Sequence, residues 1–147
     1  MMELFHVKRL TDTARIPTRG TAGSAGLDLY ADLAQPLELQ PGQRGKVPTG
    51  IAIAVPAGYA GLIYARSGLA VKHGITLSNC VGVVDSDYRG EVIVGLINLS
   101  EVPFSIQPGD RIAQLVLTPV LIAEPVESES LDDTARGSGG FGSTGRN

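Results

Sequence analysis

The feature that most constrains this chain is its punctuation. In 147 residues it carries 19 glycines and 9 prolines, and the short runs between them alternate apolar with polar residues instead of repeating every three or four. Period-two runs form strands, because successive side chains of a strand point to opposite faces. Residues 25–31 (AGLDLYA) set Leu27 and Leu29 on one face and Asp28 and Tyr30 on the other. Residues 50–56 (GIAIAVP) alternate branched residues with Ala, and residues 91–99 (EVIVGLINL) read as a buried strand with Gly95 in its middle. Turn sequences separate such runs: Gln40-Pro41-Gly42, Pro56-Ala57-Gly58, Asp87-Tyr88-Arg89-Gly90 and Gln107-Pro108-Gly109-Asp110. The pattern predicts an all-β sandwich, jelly roll or barrel. One short helix is expected at residues 67–72 (SGLAVK), with Ser67 as N-cap and Gly74 as C-cap.

Length fits one domain. With 43% hydrophobic but only 5% aromatic residues and no Trp, the core must be built of Val, Ile, Leu and Ala. A net charge of -3 argues against broad electrostatic binding to nucleic acid or to an anionic membrane, so any cationic site must be local. The low charged fraction, 18%, suggests that part of the surface is covered by other subunits. Cys80 is the single cysteine, which excludes an intrachain disulfide and points to a reducing cytoplasm. The N-terminal residues lack the apolar core of a secretion signal, and no run of about 18 apolar residues occurs, so neither export nor membrane spanning is expected.

Beyond Pro119 the texture changes. Residues 120–135 carry five acids (Glu124, Glu127, Glu129, Asp132, Asp133) and no base, and residues 136–145 read RGSGGFGSTG. Composition alone makes that end a disordered Gly/Ser tail. Against this, Arg136 opens it and Phe141 sits among the glycines, the pairing expected if backbone amides and hydroxyls wrap a phosphate while a ring covers a base. It has no P-loop pattern. The expected division is a β domain at 1–119, an acidic linker at 120–135 and a Gly-rich lid at 136–147.

Three stretches could carry chemistry. Residues 79–91 (NCVGVVDSDYRGE) read as a hairpin with a very polar tip, in which Asp85 or Asp87 either caps local amides or acts as a general base on a water. Arg66-Ser67-Gly68 stands where a strand meets the short helix, either an ordinary capped helix start or an anion site. Residues 108–116 (PGDRIAQLV) form a turn feeding a strand, with Asp110 and Arg111 expected as an ion pair. His6 and His73 lack partners at metal-ligand spacing, and Cys80 is expected as a small buried residue in a strand.

In their order and spacing, AGLDLYA (25–31), ARSGLA (65–70), NCVGVVDSDYRGE (79–91), PGDRIAQLV (108–116) and RGSGGFGSTG (136–145) resemble the five motifs of the homotrimeric deoxyuridine triphosphatases, over essentially the whole chain. The resemblance implies a jelly-roll-like subunit, a homotrimer with shared active sites, and hydrolysis of dUTP to dUMP and pyrophosphate with Mg²⁺. It assigns Asp85 to the attacking water and Asp28 to waters on the metal. Arg66, Ser67, Gly68 and Gln114 fall on phosphates. Asn79 and the backbone of Val83 and Val84 fall on uracil and sugar, and Tyr88 packs under the deoxyribose. Arg136, Phe141, Gly142, Ser143 and Thr144 form the lid. Ala65 stands where many relatives have Pro.

Two rivals are distinguishable. The dCTP deaminases share the fold but carry a catalytic Glu at the place that aligns with Gly95, and without that carboxylate deamination has no proton shuttle. A dUTP-sensing regulatory protein would keep the fold without turnover, a reading that intact Asp85, Asp28 and Tyr88 argue against.

Overall fold

Among the described residues, ten strands and one helix follow from that punctuation. The computed structural model describes residues 5–142. The strands are β1 (His6–Arg9), β2 (Leu27–Tyr30), β3 (Leu37–Leu39), β4 (Arg44–Ala54), β5 (Tyr59–Tyr64), β6 (Ile75–Leu77), β7 (Gly82–Val84), β8 (Glu91–Asn98), β9 (Phe104–Ile106) and β10 (Arg111–Pro119), with α1 (Ser67–His73) between β5 and β6. The alternation read in the sequence sets the faces: in β2 Leu27 and Leu29 are buried while Asp28 and Tyr30 are half-buried, and in β8 Val92, Val94, Leu96 and Asn98 point inward.

Two four-stranded sheets form, ordered β1-β4-β8-β6 and β2-β10-β5-β7, with a two-stranded sheet β3-β9 beside them. All their ladders are antiparallel. Leu29, Ile63, Ala113 and Leu115 of one sheet meet Val47, Ile51, Ile53, Val94 and Leu96 of the other in a single core cluster. This is an all-β, jelly-roll-like sandwich, and its largest fully buried side chains are aliphatic apart from Asn98, as the scarcity of aromatics requires. Truncating one of them, such as Leu96→Ala, costs about 2–5 kcal/mol.

The fully buried Asn98 is satisfied on every side. Its Nδ2 donates to the carbonyls of Leu39 (2.9 Å) and Val102 (2.8 Å), and its Oδ1 accepts from Ser100 N–H (2.9 Å) and Oγ (2.8 Å), tying the end of β8 to β3. In β4 the pairing register shifts between Pro48 and Ala52, with Gly50 at φ +66. A proline is tolerated inside this long strand because the ladder is already interrupted there.

Several local expectations differ from the structure. Residues 79–91 are not a ladder-paired hairpin: β7 pairs with β5 and β8 with β4 and β6, so the turn at residues 85–90 crosses from one sheet to the other. Alternation within a run fixes its faces but not which sheet it joins. The N-cap of α1 is Arg66, extended at φ -90 and ψ 132 and with no side-chain capping bond, so Ser67 is the first helical residue instead of the cap. Cys80 is exposed, outside any strand, at φ +64. Gly74 does close α1, at φ +69 with its N–H on Ala70 O.

Past Pro119 the last backbone tie to the sheets is Val120 N–H to Gly58 O, 2.9 Å. Residues 121–139 are exposed throughout, including Leu121, Ile122, Val126 and Leu131. Among the described residues, no helix is long and apolar enough to cross a membrane.

Candidate active site

Because residues 85–90 span the two sheets, a pocket of about 250 Å³ opens between β7 and β8. Asn79, Val83, Val84, Asp85 and Tyr88 line it, together with Ile63, Glu91 and Ile93. Asn79 reaches it from a tight turn in which Val81 N–H donates to Asn79 O at 2.7 Å around the left-handed Cys80. That turn sets Asn79 at the pocket and leaves the Cys80 thiol outside. Gly61 and Gly82 face their neighbours closely across β5 and β7: a Cβ on Gly61 would lie 3.3 Å from Val84 Cβ, and one on Gly82 3.2 Å from Ile63 Cβ.

Asp85 opens the crossing turn. Its carbonyl accepts Tyr88 N–H at 3.2 Å, and its carboxylate is exposed and takes no hydrogen bond among the described residues. The carboxylate thus does not cap the turn and is available to a water. Arg89 performs the capping instead, donating from Nη1 to the carbonyls of Ser86 (2.8 Å) and Tyr88 (2.9 Å). Tyr88 Oη donates to Glu91 O at 2.8 Å.

A second, polar cluster is built on β2, β10 and the end of β5. Asp28 and Gln114 face each other across the β2–β10 ladder, and Gln114 faces Tyr64 on the other side. Asp28 Oδ1 takes Arg66 Nε at 2.9 Å and its Oδ2 takes Arg111 Nη1 at 3.4 Å. Gln114 Nε2 donates to Ala65 O at 2.9 Å. Arg111 therefore does not pair with its neighbour Asp110, whose Oδ2 accepts Gln107 N–H (2.8 Å) and closes the Gln107–Asp110 turn. Two guanidiniums on one carboxylate leave the cluster net positive. Ser67 and Gly68 stand exposed beside it at the start of α1.

The ladder registers separate these two clusters within one chain. Asp85 follows Val84, which faces Gly61, whereas Asp28 lies on the row of Tyr64 and three strands away from β7. At ~3.3 Å per residue along the strand and ~4.8 Å between strands, the backbone positions of Asp85 and Asp28 stand roughly 20 Å apart. Arg136, Phe141 and Gly142 are exposed on the arm and do not line the pocket, and Ser143 and Thr144 lie outside the described residues.

The dUTPase family profile matches residues 12–145. The chain belongs to the dUTPase family. It is 54% identical over 132 residues to the deoxyuridine 5'-triphosphate nucleotidohydrolase of Desulfitobacterium hafniense, covering 89% of this chain and 87% of that protein. It is 55% identical over 150 residues to the corresponding enzyme of Wolinella succinogenes, covering 99% of each. Among solved structures, the dUTPase of Staphylococcus bacteriophage 80alpha with dUpNHpp superposes with a TM-score of 0.90 at 28% identity, over 99% of this chain and 100% of that one.

For this member of the dUTPase family, sequence reading did not single out Arg111, Glu91 or Ile63 as site residues. Arg111 was hidden because its partner is 83 positions away in the chain. Glu91 and Ile63 line the pocket only because two different sheets converge there.

Proposed function

We propose that this chain hydrolyses dUTP to dUMP and pyrophosphate, and that the pocket between β7 and β8 receives the nucleoside. The observation that carries this reading is the convergence of Asn79, Val83, Val84, Asp85 and Tyr88 on that one pocket in a member of the dUTPase family. Asn79 and the backbone of Val83 and Val84 would read the edge of uracil; a rigid strand edge presents fixed donors and acceptors and excludes bulkier or differently paired bases. Tyr88 would pack under the deoxyribose.

In the chemical step Asp85 takes a proton from water as its oxygen attacks the α-phosphorus, and the bond to the bridging oxygen of the β-phosphate breaks, so that pyrophosphate leaves. A general base of this kind contributes ~10²–10⁴-fold to the rate. Arg66, Ser67, Gly68 and Gln114 would bind phosphate oxygens, with Arg136, Phe141, Gly142, Ser143 and Thr144 closing over the substrate. A Phe141 ring on the base would add about 1–3 kcal/mol.

Asp28, whose two oxygens already carry Arg66 and Arg111, would hold Mg²⁺ only through water and only together with the triphosphate, whose charge the two guanidiniums would turn to. Among the described residues no group of three or more His, Cys, Asp or Glu side chains could hold a metal, and a lone carboxylate with the substrate's phosphates is the usual arrangement for this ion, which keeps several of its waters. Bound Mg²⁺ would neutralise the triphosphate oxygens.

The working site would be shared between copies in a homotrimer. One α-phosphorus needs both the water-holding and the metal-holding carboxylate within about 3 Å or one or two waters more, yet Asp85 and Asp28 of one chain are separated by roughly 20 Å. The exposed Leu121, Ile122, Val126 and Leu131 support an arm that lies against a neighbouring copy.

The deciding experiment is pyrophosphate release from dUTP, dCTP, dTTP and UTP, with Mg²⁺ and with chelator. Release from dUTP alone is the expected result. Ammonia from dCTP would identify a deaminase despite Gly95, and silence on all four with dUTP still bound would identify a sensor.

A further inference from the structure

The pose of the Tyr88 ring is imposed by two residues that carry no role in the reading above. Its hydroxyl is anchored on Glu91 O, and the end of the ring lies over Gly90 so closely that a Cβ there would fall 2.7 Å from Tyr88 Cζ and 3.0 Å from Cε2. Glu91 is itself fixed: its Oε1 accepts Gly50 N–H at 2.9 Å, at the left-handed residue where the β4 ladder shifts register. A chain of contacts thus runs from the β4 irregularity through Glu91 to the tyrosine, with the absence of a side chain at Gly90 giving the ring its place.

We propose that Gly90 and Glu91 are specificity-determining residues that, by fixing the Tyr88 ring, decide whether the pocket admits a ribonucleotide. The inference rests on the pocket being the deoxyribonucleotide site. With its O–H proton committed to the Glu91 carbonyl, the tyrosine hydroxyl has no donor left for a ligand, and the ring face is what it turns to the pocket. A sugar hydroxyl pressed against the ring face loses its water and gains no partner, and a retreat of the ring would cost its bond to Glu91 O. A methyl group at position 90 would displace the far end of the Tyr88 side chain and leave the backbone in place, so Gly90→Ala keeps the fold and changes the pose.

The test compares kcat/KM for dUTP and for UTP in full-length wild type, Gly90→Ala, Glu91→Ala and Glu91→Gln, each checked for folding by its melting temperature. Gly90→Ala and Glu91→Ala are expected to lower the dUTP-to-UTP preference by about tenfold or more, the low end of what one poorly fitting group in a pocket is worth. Glu91→Gln, whose amide oxygen can still accept the Gly50 N–H, is expected to keep the wild-type preference. Should Gly90→Ala fail to fold, the contrast between Glu91→Ala and Glu91→Gln decides alone. Folded variants that lose both substrates in equal proportion, or keep the preference within about twofold, overturn the proposal. A wild-type protein that turns over neither nucleotide overturns the underlying reading as well, and the wild-type assay alone identifies that failure.

Discussion

Gln114 donates its side-chain amide to the carbonyl of Ala65, 2.9 Å away, joining the middle of β10 to the residue that precedes Arg66. The contact exists because Gly26, next to the ladder partner of Leu115, leaves room: a Cβ there would clash with Gln114 Oε1 and come within 3.3 Å of its Cβ and Cδ.

Gly26→Ala is therefore expected to destabilise the protein by about 1–3 kcal/mol, the range for overpacking a filled position. In a Gln114→Ala background the same change should cost much less, since its obstacle is gone. Chemical denaturation of the four proteins in a double-mutant cycle measures the coupling, and additive effects would show that the two residues do not oppose each other.

Asp85→Asn keeps the shape of the side chain and removes its basicity. The expected outcome is unchanged affinity for a non-hydrolysable dUTP analogue with kcat lowered by ~10²–10⁴-fold. Calorimetric titration and pyrophosphate release read the two halves separately.

Asp28→Asn leaves Arg66 and Arg111 without their shared carboxylate. As the pairs are partly exposed, with side-chain exposures of 27% for Arg66, 53% for Arg111 and 15% for Asp28, the stability change should stay near 0–1 kcal/mol. The Mg²⁺ concentration that gives half-maximal turnover is expected to rise, and chelator should abolish turnover of the wild type. A metal titration of the rate that superposes for the two proteins would remove Asp28 from metal binding.

Removal of residues 136–147 should leave the melting temperature nearly unchanged, because β10 and the core end by Pro119, while dUTP turnover falls sharply. Light scattering on the same protein should still report three copies. Removal from residue 121 onward takes away Leu121, Ile122, Val126 and Leu131 and is expected to weaken the assembly, seen as a lower mass at equal concentration.

The legible parts of this chain were those encoded locally. Leu27 and Leu29 flanking Asp28 announce both a strand and the side on which its carboxylate emerges, and Gly74 after a short helical run announces where the helix ends. What escaped was decided across the chain. Arg66 is drawn to Asp28 and takes the capping position from Ser67, and Arg111 chooses Asp28 over its neighbour for the same reason. Cys80 adopts a left-handed backbone that its side chain does not favour, because the turn between Asn79 and Val81 requires it. The hairpin became a crossing between sheets because Val84 and Val92 satisfy the same alternation while serving opposite layers.

A site shared between copies, as proposed from the wide spacing of Asp85 and Asp28, would also make abundance a control on catalysis. If each working centre draws its two carboxylates from different copies, a lone chain is inert, and output per chain falls as the protein is diluted below the concentration at which copies associate. Two dead variants, one lacking each carboxylate, would then restore some turnover when mixed and reassembled, and a cell making little of the protein would lose activity faster than it loses protein.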